Sequence, residues 1–163
     1  MKKKNPWIYA CLIGVILGAL NVLSQPTLFV YSSGSWVALA RAEQGYPVTI
    51  RFIHSVQKTP VEENLVLDRD QKTFVLESTK YQSFGVGLPF MESDGVFSEE
   101  GEYFVLRQMN RHFPMLKLRT GVGTKLTLTL GGTRVLPLYE RYAPGTKVDV
   151  FVAPFYMYFS LFR

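Results

Sequence analysis

Cysteine and histidine are nearly absent from this sequence, which limits the chemistry that it can carry. Of its 163 residues one is a cysteine, Cys11, and two are histidines, His54 and His112. A single cysteine excludes an intramolecular disulfide. The two histidines lie far apart in the chain, and no other side chains stand with them at the spacing of metal ligands. The sequence therefore predicts neither a metal site nor a bound cofactor.

An excess of one charge is also missing. The formal net charge is +5, but Lys2, Lys3 and Lys4 supply three of these charges at the N-terminus. The rest of the chain is close to balanced, which excludes a general nucleic-acid-binding surface. Hydrophobic residues make up 47% of the chain and aromatic residues 14%, a usage typical of one β-rich domain with a core of its own.

Long apolar runs are absent except at the N-terminus, where residues 6 to 23 are interrupted only by Asn21. As a helix this run spans about 27 Å, enough to cross a bilayer once. We expect residues 1–25 to be a transmembrane anchor and residues 26–163 to form an extracytoplasmic all-β domain, because the three lysines favour a cytoplasmic N-terminus in a bacterial cytoplasmic membrane. A signal peptide cleaved after Ser24 is the alternative.

Small residues recur every fourth position within the apolar run, at Ala10, Gly14 and Gly18. This spacing places them on one face of a helix and gives a smooth stripe for close helix contact. We expect this face to bind a partner's transmembrane helix.

Beyond residue 26 the sequence alternates between short strands and turns, which predicts an antiparallel β-sandwich-like domain. Strands are expected at 28–31, 36–42, 73–79, 102–109, 115–120, 125–130, 133–137 and 147–153, together with a central hairpin at 47–67. Asp68-Arg69-Asp70 and Gly131-Gly132 are predicted hairpin turns.

The central hairpin has one polar residue on the apolar side of each strand, His54 and Glu63. If Gln57 to Pro60 form the loop, Val56 faces Val61 and His54 lies directly opposite Glu63. Such a pair offsets the cost of burying either group, so it acts as a structural clamp or binds a partner, a cation or a small ligand. Ser55 points to the other face of the strand, which excludes a serine-histidine dyad.

The segment 81–89 is predicted to be a loop, because Gly85, Gly87 and Pro89 interrupt a strand. It carries apolar side chains, and it lacks the third glycine, the lysine and the helix of a phosphate-binding loop. The acidic segment 90–101 is also predicted to be an exposed loop. The aromatic end, 154–163, is either a final edge strand or core flap, or an aromatic foot on membrane lipid.

Three motifs, His54-Ser55-Val56, Thr59-Pro60-Val61-Glu62-Glu63 and the loop at 81–89, resemble the small bacterial family known as domain of unknown function 1850. Members of that family are often encoded beside, or fused to, the membrane component of TAXI-type TRAP transporters, which are tripartite and independent of ATP. The resemblance implies a small membrane-anchored accessory protein of such a transporter. It implies no activity and no catalytic residue.

We therefore expect a protein that is not an enzyme and that acts by contact. Its anchor would pack on the transporter permease, and its outer domain would touch the permease or the extracytoplasmic substrate-binding protein through His54, Glu63, Ser83, Phe84, Gly85, Gly87 and Leu88. The alternative is an extracytoplasmic module that binds a small ligand or ion around the same residues. An enzyme using His54, Glu63 and Ser83 is the third hypothesis.

Overall fold

The computed structural model describes residues 6–82 and 95–160 of the chain. The helices in these two stretches are α1 (Pro6–Ser24), α2 (Leu138–Arg141) and a 3-10 helix (Phe155–Phe159). The strands are β1 (Pro26–Ser32), β2 (Ser35–Arg41), β3 (Pro47–Ile53), β4 (Pro60–Leu67), β5 (Phe74–Tyr81), β6 (Val96–Glu100), β7 (Tyr103–Phe113), β8 (Met115–Arg119), β9 (Thr127–Leu130), β10 (Arg134–Pro137) and β11 (Lys147–Pro154).

The N-terminal helix α1 forms in a run of apolar residues with no charged side chain. All its side chains from Trp7 to Val22 are exposed, so α1 packs on no core of its own domain. It is long and apolar enough to cross a membrane. The prediction of one such N-terminal helix is confirmed.

The strands form two antiparallel sheets, which confirms the predicted all-β class. One sheet has four strands in the order β2-β1-β11-β8, and the other has seven in the order β10-β9-β3-β4-β5-β7-β6. The seven-stranded sheet is built mainly from hairpins, since β3-β4, β4-β5, β6-β7 and β9-β10 are neighbours both in sequence and in space. The turn at Asp68 to Thr73 is confirmed, and the Asp70 carboxylate accepts hydrogen bonds from Lys72 N and Thr73 N.

The hydrophobic core contains side chains from both sheets. Leu28, Val30 and Val150 of the four-stranded sheet are fully buried together with Val48 and Leu128 of the seven-stranded sheet. Period-two alternation places these residues on the inner faces, and removing their apolar surface from water stabilises the sandwich.

Besides this core, a cluster of aromatic side chains covers the outer face of the four-stranded sheet. Phe29 is fully buried there, with its ring centroid 4.6 Å from that of Trp36 and 5.6 Å from that of Phe151. Tyr158 of the 3-10 helix stacks on Trp36 at 6.1 Å, and Trp36 Nε1 donates a hydrogen bond to Tyr158 O at 3.2 Å. Residues 155–159 thus form a flap over a sheet and not an edge strand.

Two local predictions are wrong. The acidic segment 90–101 was predicted to be a loop, but Val96–Glu100 is edge strand β6, paired with β7 and tied to it by an ion pair between Glu100 and Arg107 at 2.7 Å. The Gly131-Gly132 loop joins a hairpin as expected, but Leu130 pairs with Arg134, so the loop contains three residues and not two.

Candidate functional site at the end of the central hairpin

The register of the central hairpin separates His54 from Glu63, so the predicted pair does not form. Strand β3 ends at Ile53, Phe52 lies opposite Val61, and Glu63 lies opposite Ile50. The hairpin loop is longer than the four residues expected. Its backbone closes with a hydrogen bond from His54 N to Thr59 O at 2.8 Å, and Lys58 adopts φ 57°.

His54 therefore belongs to the loop and stabilises its backbone. Its Nδ1 accepts hydrogen bonds from Gln57 N at 3.2 Å and from Val56 N at 3.4 Å. An acceptor at Nδ1 carries no proton, so this geometry fits the neutral ring with its proton on Nε2. The position is that of a side chain that caps a turn.

Glu63 remains on the inner face of β4, next to the core. Its neighbours across the strands are Ile50 on β3 and Thr79 on β5, and it is half-buried. Burial raises the pKa of the Glu63 carboxyl, and the charge of Arg111 only partly opposes this. Glu63 is therefore a carboxyl group held where ionisation is unfavourable.

The outer face of the same strands carries a row of charges that the sequence analysis did not single out. In the strand register Arg51 on β3 lies opposite Glu62 on β4, and Glu62 lies opposite Lys80 on β5. Arg51 Nε donates to Glu62 Oε2 at 2.6 Å, and Asn64 Nδ2 donates to Glu62 Oε1 at 3.1 Å. The alternation that identified β3 and β4 already placed Arg51 and Glu62 on the outer face, but their pairing requires the observed register.

This row forms one side of a cleft of about 380 Å³, which we call the hairpin cleft. Its charged lining residues are Arg51, Glu62, Lys80 and Lys125, and Tyr103 lies beside Lys80. Its apolar lining residues are Ile53 and Pro60, which share the face of Arg51 and Glu62, and Phe52 and Val61, whose side chains pack toward the core. The loop before β9 contributes Lys125 and is joined to the hairpin by a hydrogen bond from Ile53 N to Thr124 O at 2.6 Å.

The remaining predicted site residues lie elsewhere. Ser83, Phe84, Gly85, Gly87 and Leu88 fall outside the described residues. Ala10, Gly14 and Gly18 lie on the exposed surface of α1.

Within residues 6–82 and 95–160, no group of three or more His, Cys, Asp or Glu side chains is placed to hold a metal ion. His112, the second histidine, lies on the surface, where its Nδ1 is 3.7 Å from Asp68 Oδ2.

A family model for the domain of unknown function DUF1850 matches residues 48–136, more than half of the chain. The chain belongs to this family. In this DUF1850 protein the matched residues include the hairpin cleft, β8 and the seven-stranded sheet except for its end residues Pro47 and Pro137. No curated protein and no solved structure matches the chain.

Proposed function

We propose that this DUF1850 protein is a non-catalytic, membrane-anchored accessory subunit of a TAXI-type TRAP transporter. In this role it packs on the permease, docks the extracytoplasmic substrate-binding protein, or does both. The choice of partner follows the association that the family resemblance implies. The absence of a catalytic role is supported by the separation of His54 from Glu63, which lies opposite Ile50 and not opposite the histidine.

The observation that carries this proposal is the short, ordered junction between α1 and the sandwich. Only Gln25 separates Ser24, the last residue of α1, from Pro26, the first residue of β1. Gln25 N donates to Val22 O at 3.2 Å, and Phe155 N donates to Gln25 O at 2.9 Å, which ties the junction to the 3-10 helix. A domain joined in this way stays at one height above the bilayer, as a subunit that contacts a membrane partner requires.

The surface of α1 supplies the second support. Ala10, Gly14 and Gly18 are exposed, and a Cβ atom built on either glycine would meet no atom within 4 Å. These positions therefore have room for a larger side chain in the isolated protein. In a complex the same stripe would allow the backbone of a second helix to approach closely.

Lys2, Lys3 and Lys4 support the proposed orientation, with the N-terminus in the cytoplasm and the sandwich outside the cytoplasmic membrane. In this orientation the 3-10 helix, which adjoins the end of α1, rests on membrane lipid at the outer surface. Tyr156 and Phe159 expose 52% and 57% of their surface there, where aromatic rings are favoured.

We would test the proposal by purifying the full-length protein from its native membrane in mild detergent and identifying co-purifying proteins by mass spectrometry. A TRAP permease should accompany the wild type. The Gly14→Ile/Gly18→Ile variant should lose most of it, because two branched side chains would separate the helices.

Ala19→Ile is the matched control, since at about 100° per residue Ala19 faces away from the stripe. It should retain the permease. Recovery of the wild type without any transporter subunit would contradict the proposed function, and equal loss in Ala19→Ile would show that the stripe is not the contact.

A further inference from the structure

We propose that the hairpin cleft binds a small organic anion. This inference goes beyond the role of an accessory subunit and does not depend on it, since it rests on the charges and shape of the cleft alone. The cleft lies at the seven-stranded sheet, where Arg51 and Glu62 point away from the core, and none of its lining residues belongs to the predicted set around His54 and Glu63.

The charges that line the cleft do not balance. Three cations, Arg51, Lys80 and Lys125, accompany one carboxylate, Glu62. Both oxygens of Glu62 are already engaged, Oε2 by Arg51 and Oε1 by Asn64. Burial raises the pKa of Glu62, but the hydrogen bonds from Asn64 and Arg51 and the nearby charges outweigh it, so the pKa is lowered and the carboxylate is ionised. One anion is thus shared among three cations.

Within the described part of the chain neither lysine forms a salt bridge, although the charge of Lys80 acts on the Glu62 and Glu100 carboxylates. Lys80 Nζ lies 4.1 Å from the centre of the Tyr103 ring, a cation–π contact that holds the ammonium group in place without neutralising it. Within the same residues, no salt bridge includes Lys125. Two positive charges in a concave site raise the local concentration of anions.

The backbone at Lys125 favours a binding role over a chance surface position. Lys125 adopts φ 46°, a left-handed conformation that glycine or asparagine adopts at lower cost. The neighbouring residue Thr124 is fixed to the end of β3, because its carbonyl oxygen accepts a hydrogen bond from Ile53 N. The chain therefore holds a cation at the rim of the cleft in a strained backbone position.

The walls define the class of ligand. Ile53 and Pro60, which share the face of Arg51 and Glu62, give the cleft an apolar side that an inorganic ion would leave uncovered. A ligand with an apolar body and one anionic group would cover this wall and place its charge between the lysines. A carboxylate and a phosphate monoester share this chemistry.

The test is a titration of the full-length protein in detergent, followed by ligand-observed NMR. The probes are phenylacetate, phenyl phosphate and, as the neutral analogue, phenylacetamide. We expect at least one of the two anions to bind and phenylacetamide to bind at least about fivefold more weakly, because it lacks the charge. The stronger anion identifies the charged group, and raising the salt concentration should weaken its binding.

Two variants assign the binding to the cleft. Lys80→Gln removes one lysine charge from the cleft, and Lys125→Asn removes the other with a residue that tolerates the left-handed backbone. Each should weaken binding of the anion about fivefold. Lys117→Gln, an exposed lysine on β8 outside the cleft, is the matched control and should bind as the wild type does.

The proposal is overturned if neither anion binds, if phenylacetamide binds as well as the anions, or if Lys117→Gln weakens binding as much as the cleft variants do. An unchanged circular dichroism spectrum in each variant shows that a loss of binding is not a loss of fold. An outcome in which Lys80→Gln and Lys125→Asn both bind normally also excludes the cleft.

Discussion

Two adjacent glycines in the loop between β9 and β10 have different surroundings, and the difference is measurable. Gly131 adopts φ 61° and Gly132 adopts φ 72°, so alanine is strained at both. At Gly131 a Cβ atom would also lie 2.9 Å from the Tyr46 hydroxyl, whereas at Gly132 it would meet nothing within 4 Å. We expect Gly132→Ala to lower the free energy of unfolding by about 1 kcal/mol and Gly131→Ala by about 1 kcal/mol more.

Urea unfolding in detergent, followed by circular dichroism, measures both variants, with each serving as the control for the other. Equal destabilisation by the two variants would mean that Tyr46 moves aside at no cost. The requirement for glycine at position 131 would then come from its backbone conformation alone.

Glu63 should make the protein less stable as the pH rises. Because burial raises the pKa of Glu63 in the folded state, the folded protein binds this proton more tightly than the unfolded chain does. The free energy of unfolding is then highest below the ordinary carboxyl pKa and falls as the pH rises through the raised pKa. Glu63→Gln should remove this decline and unfold at a higher temperature than the wild type at pH 7.

For Glu62 we expect the opposite dependence of stability on pH, and Glu62→Gln tests it. The pKa of Glu62 is lowered, so its stabilising contribution is present above the pKa of the unfolded chain and is lost as the pH falls. Thermal unfolding between pH 3 and pH 8 separates the two variants. If the thermal stability of the wild type and of Glu63→Gln changed in parallel with pH, the decline at rising pH could not be assigned to Glu63.

At the scale of single elements, the sequence predicted strands well and their register poorly. Alternation in β3 and β4 correctly identified the inner residues, including Val48 and Leu65. The same alternation remains when the pairing slips by an even number of residues, so it did not distinguish Val56 from Phe52 as the partner of Val61. The difference depends on the loop, where Lys58 adopts a left-handed conformation that nothing in its side chain signals.

Strand β6 and the 3-10 helix were missed for another physical reason. Strand β6 lies at the edge of its sheet and contains Ser98, Glu99 and Glu100, so it has little apolar alternation, and its stability comes from pairing with β7. The 3-10 helix has aromatic residues on every side because it lies between a sheet face and the end of α1. Tertiary contacts, not local pattern, determine both elements. The hairpin cleft was missed because its lining comes from four strands, β3, β4, β5 and β7, and from a distant loop.

At the scale of the whole molecule, the family match separates two parts. The matched residues 48–136 contain the hairpin cleft and the seven-stranded sheet except for Pro47 and Pro137 at its ends. Outside the match lie α1, β1, β2, α2, β11 and the 3-10 helix, among which α1, β1 and the 3-10 helix meet at Gln25. The family's shared features are therefore concentrated in the sheet that carries the cleft, and the residues that set its position relative to α1 are outside them.

The junction makes a prediction about how the molecule sits on a bilayer. Tyr156 lies beside Leu17 and Leu20 of α1. Leu17 lies about two helical turns before Ser24, the last residue of this helix. If α1 crosses the membrane, the position of Tyr156 must then lie at the level of the lipids.

In a Cys11→Ser background, a nitroxide attached at Tyr156→Cys should be more accessible to oxygen than to a water-soluble nickel chelate. The same label at Ser35→Cys, at the far end of the β1–β2 hairpin, should show the reverse. Electron paramagnetic resonance of the full chain in lipid nanodiscs measures both accessibilities. A label at position 156 that behaves like the label at position 35 would show that the 3-10 helix stands clear of the bilayer.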